Sequence, residues 1–441
     1  MGYSYYRSIT IDHTQVSASS STYLRVPVFG NASFATIANG GRLHNSNGYD
    51  LIFATDISGS SPLTFELEEN SYNATTGAGL WWVRIPFPST SSNTVFYVVY
   101  GNAAISTYQG NTNGTWGTDY TAVIHFNASG TQVDSTSNAN NLNGSGGSPA
   151  FAAGLLGLAF QGNGSSYVYA NSVTLPLDGP CALSAWYKFS SSPGGGNSIA
   201  GIGGNGGTNS RALIFPTSTV LAIDTSSADV ESTLAWSTNW VYVVVVLPTS
   251  ATPNNMAVYV NGVLTSGTGG NNSSFSLPST GSNLCVSCIT GDTGAGTNMT
   301  GLVDEIRLSG AIDAGLVATD FAAQQPSTTF YSLGSEQTEP TGPNIRVQQA
   351  ILELQALMNP HARVQQAMLE FMTLNDPHAR VQQVVLEMQV LEVPNPAVNT
   401  EPFSIILRGV KRWPLGQKPS ICPVDEKQHD DAMEELTKWI G

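Results

Sequence analysis

Charge is what this 441-residue sequence has least of: Asp, Glu, Lys and Arg together make up 11% of it, against ~25% in an average soluble chain. Lys188 is the one lysine in the first 340 residues, and the formal net charge is −15. No nucleic-acid partner is expected, because affinity for phosphate needs Lys and Arg. An acidic surface also repels anionic membranes. No run of ~20 apolar residues is present, so no membrane insertion is expected. Cysteine is scarce too, with Cys181, Cys285, Cys288 and Cys422. The C-x-x-C of Cys285 and Cys288 has no second pair at zinc-finger spacing and no histidine close by. In "SNLCVSCITG", read as a strand, i and i+3 face opposite ways, so the expectation is buried free thiols. The opening "MGYSYYRSITIDHTQV" has no apolar core, so no secretory leader is expected.

What fills the chain instead is apolar residues, 41%, with abundant Gly, Ser, Thr and Asn. Disorder usually goes with high charge and few aromatics, so this composition points to short strands joined by neutral polar turns. "YRSITID", "YLRVPVFG", "LIFATD", "LTFELEE", "GLWWVRIPF" and "TVFYVVYG" alternate or run apolar between turn clusters, which predicts an N-terminal β-sandwich over 1–108. Further on, "VYVVVVL" is a continuous apolar run, as a strand covered on both faces requires. "VYVNGVL" carries Asn261-Gly262, a pair that tolerates the left-handed backbone of a tight hairpin.

The first block, through "YYRSITIDHTQV", "GGRLHNSNGYDLIF", "FELEENSYNATTGAGLWWVRIP" and "FYVVYGNA", resembles a small β-domain of unknown function found in bacterial and phage surface proteins. Six later stretches, in order, resemble the laminin-G-like, concanavalin-A-like jelly roll. They are "AVIHFNASGTQVDSTSNANNLNG", "GLLGLAFQGNGSSYVYA", "CALSAWYKF", "NWVYVVVVL", "MAVYVNGVL" and "GLVDEIRLSGAIDAGLVATDFAAQQPSTTFYSLGSEQ". The expected fold class is therefore mainly β. A β-sandwich (1–108) is followed by the jelly roll (109–336) and a Pro- and Gly-broken linker (337–344). Three 17-residue repeats (345–396) and a C-terminal strand plus one helix (397–441) complete it.

Several groups are candidates for chemistry. Glu66 and Glu68 in "FELEE" have the i, i+2 spacing that puts two carboxylates on one strand face, as glycosidases require. They fall outside the jelly roll, however, and the E-x-D-x-x-E pattern of concanavalin-like glucanases is absent, so no catalysis is expected. Asp304 and Glu305 are adjacent and, on a regular strand, face opposite ways. Resemblance to the jelly-roll family implies a Ca2+ site built on Asp134 and Asp304, whereas the residues alone also allow Asp134 to cap a turn and Glu305 to pair with Arg307 or Arg84. His125 reads as a packed residue rather than a base. Stacking on sugars needs exposed aromatics. Trp116, Tyr169 and Trp236 lie near turns and are the glycan-binding candidates. One of Trp81 and Trp82 should face outward on a strand, while Trp186 and Trp240 read as core.

Arg346, Arg363 and Arg380 each open a copy of R-V-Q-Q at a 17-residue interval. As strands, the copies keep Leu352, Leu369 and Leu386 on one apolar face; as helices they leave these leucines off the stripe. The copies resemble short strand repeats near the ends of some phage structural proteins. Three such strands expose edges and bury little alone, so they are expected to assemble with copies of this chain or other virion proteins. The functional expectation is a phage virion surface protein (a fibre, tail-tip or decoration subunit) with a lectin-like domain for cell-surface or environmental glycans. A structural spacer, a bacterial cell-surface adhesin and a glycoside hydrolase are the alternatives.

Overall fold

The computed structural model describes residues 2–338, apart from 174–179, 194–196, 205–210, 225–228, 233–235, 249–254, 266–267, 270–281, 290–296, 311 and 326–328. Beyond them it describes Met388–Gln389, in the third repeat copy, paired antiparallel with Ile406–Leu407. The other repeat positions, Arg346, Leu352, Arg363, Leu369, Arg380 and Leu386 among them, lie outside the described residues, as does the expected terminal helix. The chain divides into two compact units, Met1–Glu339 and Pro340–Gly441. The fold of the first is mainly β.

Two sandwiches make up the first unit. In the N-terminal one, a sheet ordered Tyr331–Leu333, Tyr5–Ile11, Thr94–Tyr100, Leu51–Ala54 faces a three-stranded sheet of Leu24–Phe29, Leu80–Ile85 and Phe65–Leu67. Ile9, Ile11, Val26, Val28, Phe53, Trp81, Val83, Phe96 and Val98 fill the space between them, each alternate side chain contributing ~1.5–3 kcal/mol on burial. The tail segment read as the end of the jelly roll belongs here instead. Leu333 pairs Ile9 and Tyr331 pairs Ile11, and Gln337–Thr338, expected in the linker, pairs Tyr5–Tyr6. In sequence the jelly roll is thus inserted between Thr94–Tyr100 and Tyr331–Leu333, the two strands that flank Tyr5–Ile11 in the N-terminal sheet.

The jelly roll stacks two eight-stranded antiparallel sheets. The first centres on Val241–Leu247, Cys181–Phe189 and Thr300–Gly310. The second centres on Arg211–Pro216, Ala200–Gly203, Ser282–Val286 and Tyr167–Val173, with Gly144–Gly146 at its edge. The apolar run 241–247 has the expected double burial. Val241, Val243, Val245 and Leu247 point into the inter-sheet core, while Tyr242, Val244 and Val246 join an outer cluster. The hairpin at Asn261-Gly262 also forms, with Val260 opposite Val263 and φ of 49° and 78° at the two turn residues, the left-handed pair a two-residue turn demands.

Helix Ala314–Gln324 lies between the sandwiches. Asp313 caps it, accepting from Leu316 N at 2.8 Å, and it stops before Pro326 as the residue preceding a proline favours. Leu316 and Ala323 enter the N-terminal core, whereas Val317 and Phe321 pack on the outer face of the first jelly-roll sheet.

Candidate functional site: a buried joint and an aromatic sheet face

The strand Thr300–Gly310 sets up the joint. Along one edge it pairs with Cys181–Phe189; its other edge is shared by Leu158–Asn163 at residues 300–303 and Tyr120–Ile124 at 306–309. At the changeover Glu305 takes φ of 49°, and the register against Cys181–Phe189 slips between Ser184 and Trp186. This bulge inserts one residue. Val303, Ile306 and Leu308 point into the core, and Asp304, Glu305 and Arg307 fall together on the outer face. The regular-strand expectation of opposite faces for Asp304 and Glu305 is therefore corrected, and the bulge is the reason.

That outer face is covered by the N-terminal sandwich. Glu66, Glu68 and Trp82 come down from it, with Trp116 from the short helix Thr112–Trp116; all are buried. His125 Nδ1 lies 2.7 Å from Glu305 Oε1, and its Nε2 lies 3.5 Å from Glu66 Oε2. Glu66 also accepts from Ser135 Oγ at 2.7 Å and from Trp116 Nε1. Glu68 accepts from Trp82 Nε1 at 3.3 Å. The His125 ring stacks on Trp82, centroids 5.3 Å apart. Arg307 reaches Glu305 Oε2 at 2.7 Å and Asp320 Oδ2 at 3.4 Å, with its guanidinium over the rings of Trp82 and Trp116. Asp320 also accepts from Tyr242 OH and Gln324 Nε2, and Gln324 Oε1 accepts from Trp186 Nε1 at 2.7 Å.

Burial and neighbouring charge pull these groups apart. Burial alone lowers the His125 value, but Glu305 and Glu66 outweigh it and hold the imidazole well above its ordinary range. Burial raises Glu68, with Glu305 and Asp304 adding to it against the pull of His125. Asp304 is raised by burial and by Glu305. Glu305 moves the other way because His125 and Arg307 overcome its burial.

The second sheet differs. Val168 and Ala170 point inward, which turns Tyr167 and Tyr169 outward. Their rings stack at 6.1 Å and 29° and lie across Gly146 and Gly144 of the edge strand, where any Cβ would strike a tyrosine ring at about 2.4 Å or less. Both tyrosines are half-buried. Phe215, Cys285, Cys288 and Ile289 share their cluster. A cleft of ≈ 350 Å³ opens at the edge strand on the side of inward-facing Val168, lined also by Ser129, Thr131, Asn143, Ser145 and Phe151 but by neither tyrosine.

Of the aromatic candidates, Tyr169 is on this face; Tyr167, two residues earlier on the same strand, was missed although the i, i+2 rule gives it. Trp236 is half-buried against the inter-sheet core. Trp116 is fully buried in the joint and offers no stacking surface, because the residues near its turn are covered by the neighbouring sheet. Trp81 and Trp82 are both buried for the same reason: the outward one meets the jelly roll. Cys285 and Cys288 share one cluster rather than opposite faces, because the strand ends at Val286 and Ser287 adopts φ of 61°. Cys181, Cys285 and Cys288 are buried and unbridged.

Asp134 and Asp304 do not fit a Ca2+ site as they stand. Asp134 accepts from Val123 N, Thr136 N, Thr136 Oγ1 and Asn140 N at 2.8–2.9 Å. Asp304 accepts from Leu155 N, Leu156 N and Glu305 N at 2.8–3.0 Å. Calcium wants six to eight converging oxygens, and these carboxylates converge on N–H and O–H donors.

Residues 161–314 match a family model described as the Concanavalin A-like lectin/glucanases superfamily, so this region is a lectin-like jelly roll. No curated protein matches the chain. Among solved structures, it is similar to domain 4 of AbnA, an extracellular arabinanase from Geobacillus stearothermophilus, in complex with arabinotriose (20% identity, TM-score 0.36, 46% of this chain and 98% of that one). Trypanosoma rangeli sialidase matches at 15% identity and TM-score 0.36 over 60% of this chain and 44% of the sialidase. The binding domain of botulinum neurotoxin DC, in complex with SialylT, matches at 12% and 0.36 over 49% and 53%. The chain thus spans about half the length of the last two. At this TM-score none of the three carries a conclusion about the ligand or chemistry of this chain.

Proposed function

We propose that the protein is a non-catalytic, glycan-binding subunit of a virion surface, with the outer face of the second jelly-roll sheet as its ligand platform. The observation that carries the reading is the stacked, half-exposed Tyr167–Tyr169 pair inside the lectin-like region, laid flat over two glycines. Aromatic faces take the apolar side of a pyranose ring. The overall charge of −15 favours neutral over anionic glycans. Glu66 and Glu68, the pair that hydrolysis would need, are buried under Trp116 and Trp82, which supports binding without turnover. The virion placement rests on the resemblance of residues 1–108 and of the 17-residue repeats to phage and bacterial surface proteins. In this reading the repeats fasten the subunit to its neighbours and the jelly roll faces outward.

A glycan array probed with the intact protein and with a Tyr167→Ala/Tyr169→Ala variant tests the platform. The expected result is binding to neutral glycans that the variant loses. Silence of the wild-type protein across neutral and sialylated glycans would leave the spacer reading in its place.

A further inference from the structure

We propose that the joint between the two sandwiches is a proton-operated latch: Glu68 holds it closed as a neutral carboxylic acid, and loss of that proton as pH rises loosens the N-terminal sandwich from the jelly roll. Glu68 follows the strand Phe65–Leu67 and is 3% exposed. It comes from the N-terminal sandwich and ends against the jelly roll, where a Cβ at Gly157 would strike its Oε1. Only a glycine lets the backbone approach the carboxyl so closely. Among the described residues the carboxyl accepts one bond, from the neutral indole N–H of Trp82 at 3.3 Å. A buried carboxylate with so little support is costly to ionise, and such a group stays neutral instead.

The cations around Glu68 are already committed. Five buried carboxyls, Glu66, Glu68, Asp304, Glu305 and Asp320, meet two side-chain cations, Arg307 and His125. Arg307 is taken by Glu305 and Asp320. His125 turns Nδ1 to Glu305 at 2.7 Å and Nε2 to Glu66 at 3.5 Å. Asp304 has three backbone N–H groups, and Glu66 has Ser135 and Trp116. At the rim Arg25 and Arg84 lie on Asp119, and Asp134 is held by its own N–H and O–H donors. The phenols of Tyr120 and Tyr242 also face the cluster and are raised by burial. Glu68 is the carboxyl left with neither a cation nor a set of N–H donors. Burial, Glu305 and Asp304 raise it against the pull of His125. Its contribution to stability is therefore complete below the ordinary 4.5 and is lost as pH climbs to its folded value. Asp304 and His125, raised as well, lose theirs in the same direction. Glu305, lowered, limits the latch on the acid side alone. Once ionised, Glu68 on one sandwich faces Asp304 and Glu305 on the other, and like charges out of water repel. The latch involves neither the aromatic face nor any glycan.

The experiment is urea unfolding of the intact protein and of Glu68→Gln, whose side chain is isosteric and always neutral. A proton released on unfolding lowers the folding constant about tenfold per pH unit, so between about pH 5 and about pH 7 wild type should lose about a hundredfold more than the variant. In alkaline solution, amide exchange at Phe65–Leu67 and Tyr120–Ile124 should accelerate beyond its intrinsic pH dependence in wild type, and less in Glu68→Gln. Parallel pH slopes in the two proteins overturn the proposal, as does exchange at the joint that follows the intrinsic dependence alone. Should Glu68→Gln fail to fold, infrared spectra of wild type in heavy water decide. A protonated-carboxyl band at neutral pH that disappears as exchange at Phe65–Leu67 rises supports the latch. Absence of the band, or its persistence after the joint has loosened, overturns it.

Discussion

The two sheets of the jelly roll have alike inner faces and opposite outer ones. Inside, both contribute aliphatic side chains to one core. Outside, the first sheet buries His125, Asp304, Glu305 and Arg307 beneath a second sandwich, while the second sheet presents half-buried tyrosines. The difference teaches how to read a buried charge. Ionised groups leave water only where another element supplies partners, so a dense buried ion network marks where a neighbouring domain docks. A flat, half-exposed aromatic pair marks a face still looking for something to cover it.

Breaking the covered side should have the largest effect. Arg307→Ala strands Glu305 and Asp320 without their cation, so a loss of ~3–5 kcal/mol is expected in urea unfolding; a loss below ~1 kcal/mol would mean that the joint does not depend on its charges. Trp186→Phe removes the indole N–H that bonds Gln324 Oε1 and should cost ~1–3 kcal/mol, read by the same unfolding curves. Tyr169→Ala, on the other sheet, forfeits one half-exposed ring stack worth ~0.5–1.5 kcal/mol. It should therefore weaken glycan binding far more visibly than it lowers Tm, and calorimetry beside a melt separates the two. The smallest effect concerns a carboxylate that is only partly buried. Slight burial pushes Asp56 up, but bonds from Ser58, Ser60 and Ser61 outweigh it and hold it at about 2, below the usual 3.8. Its contribution is complete above the unfolded value and fades as pH falls from 3.8 to about 2. Screening keeps it under ~1 kcal/mol, so Asp56→Ala should lower the neutral melt slightly and, below about pH 2, the acid melt hardly at all.

Much of this was legible in the residues. The doubly covered strand 241–247, the Asn261-Gly262 turn and the short strands of the first 108 residues are local patterns, and local patterns survive folding. The joint is different in kind. His125 and Glu305 are 180 residues apart, and no periodicity links them. The bulge at Glu305 demands a left-handed backbone from a glutamate, a residue that rarely signals it. The crossing of Tyr331–Leu333 to the N-terminal sheet reads like any other strand until its partner is known. Trp116, near a turn, and one of Trp81 and Trp82, on a strand, read as facing solvent, because a local pattern cannot say that an outer face meets another domain. Tyr167 was the recoverable omission, since it shares the strand and the face of Tyr169.

The most direct measurement is amide hydrogen exchange on the intact protein, with and without the neutral glycan that gives the strongest array signal. The account predicts added protection at Gly144–Gly146 and Tyr167–Val173 and none at Phe65–Leu67 or Tyr120–Ile124. Protection confined to the latter pair of strands, or none on either side, would contradict it.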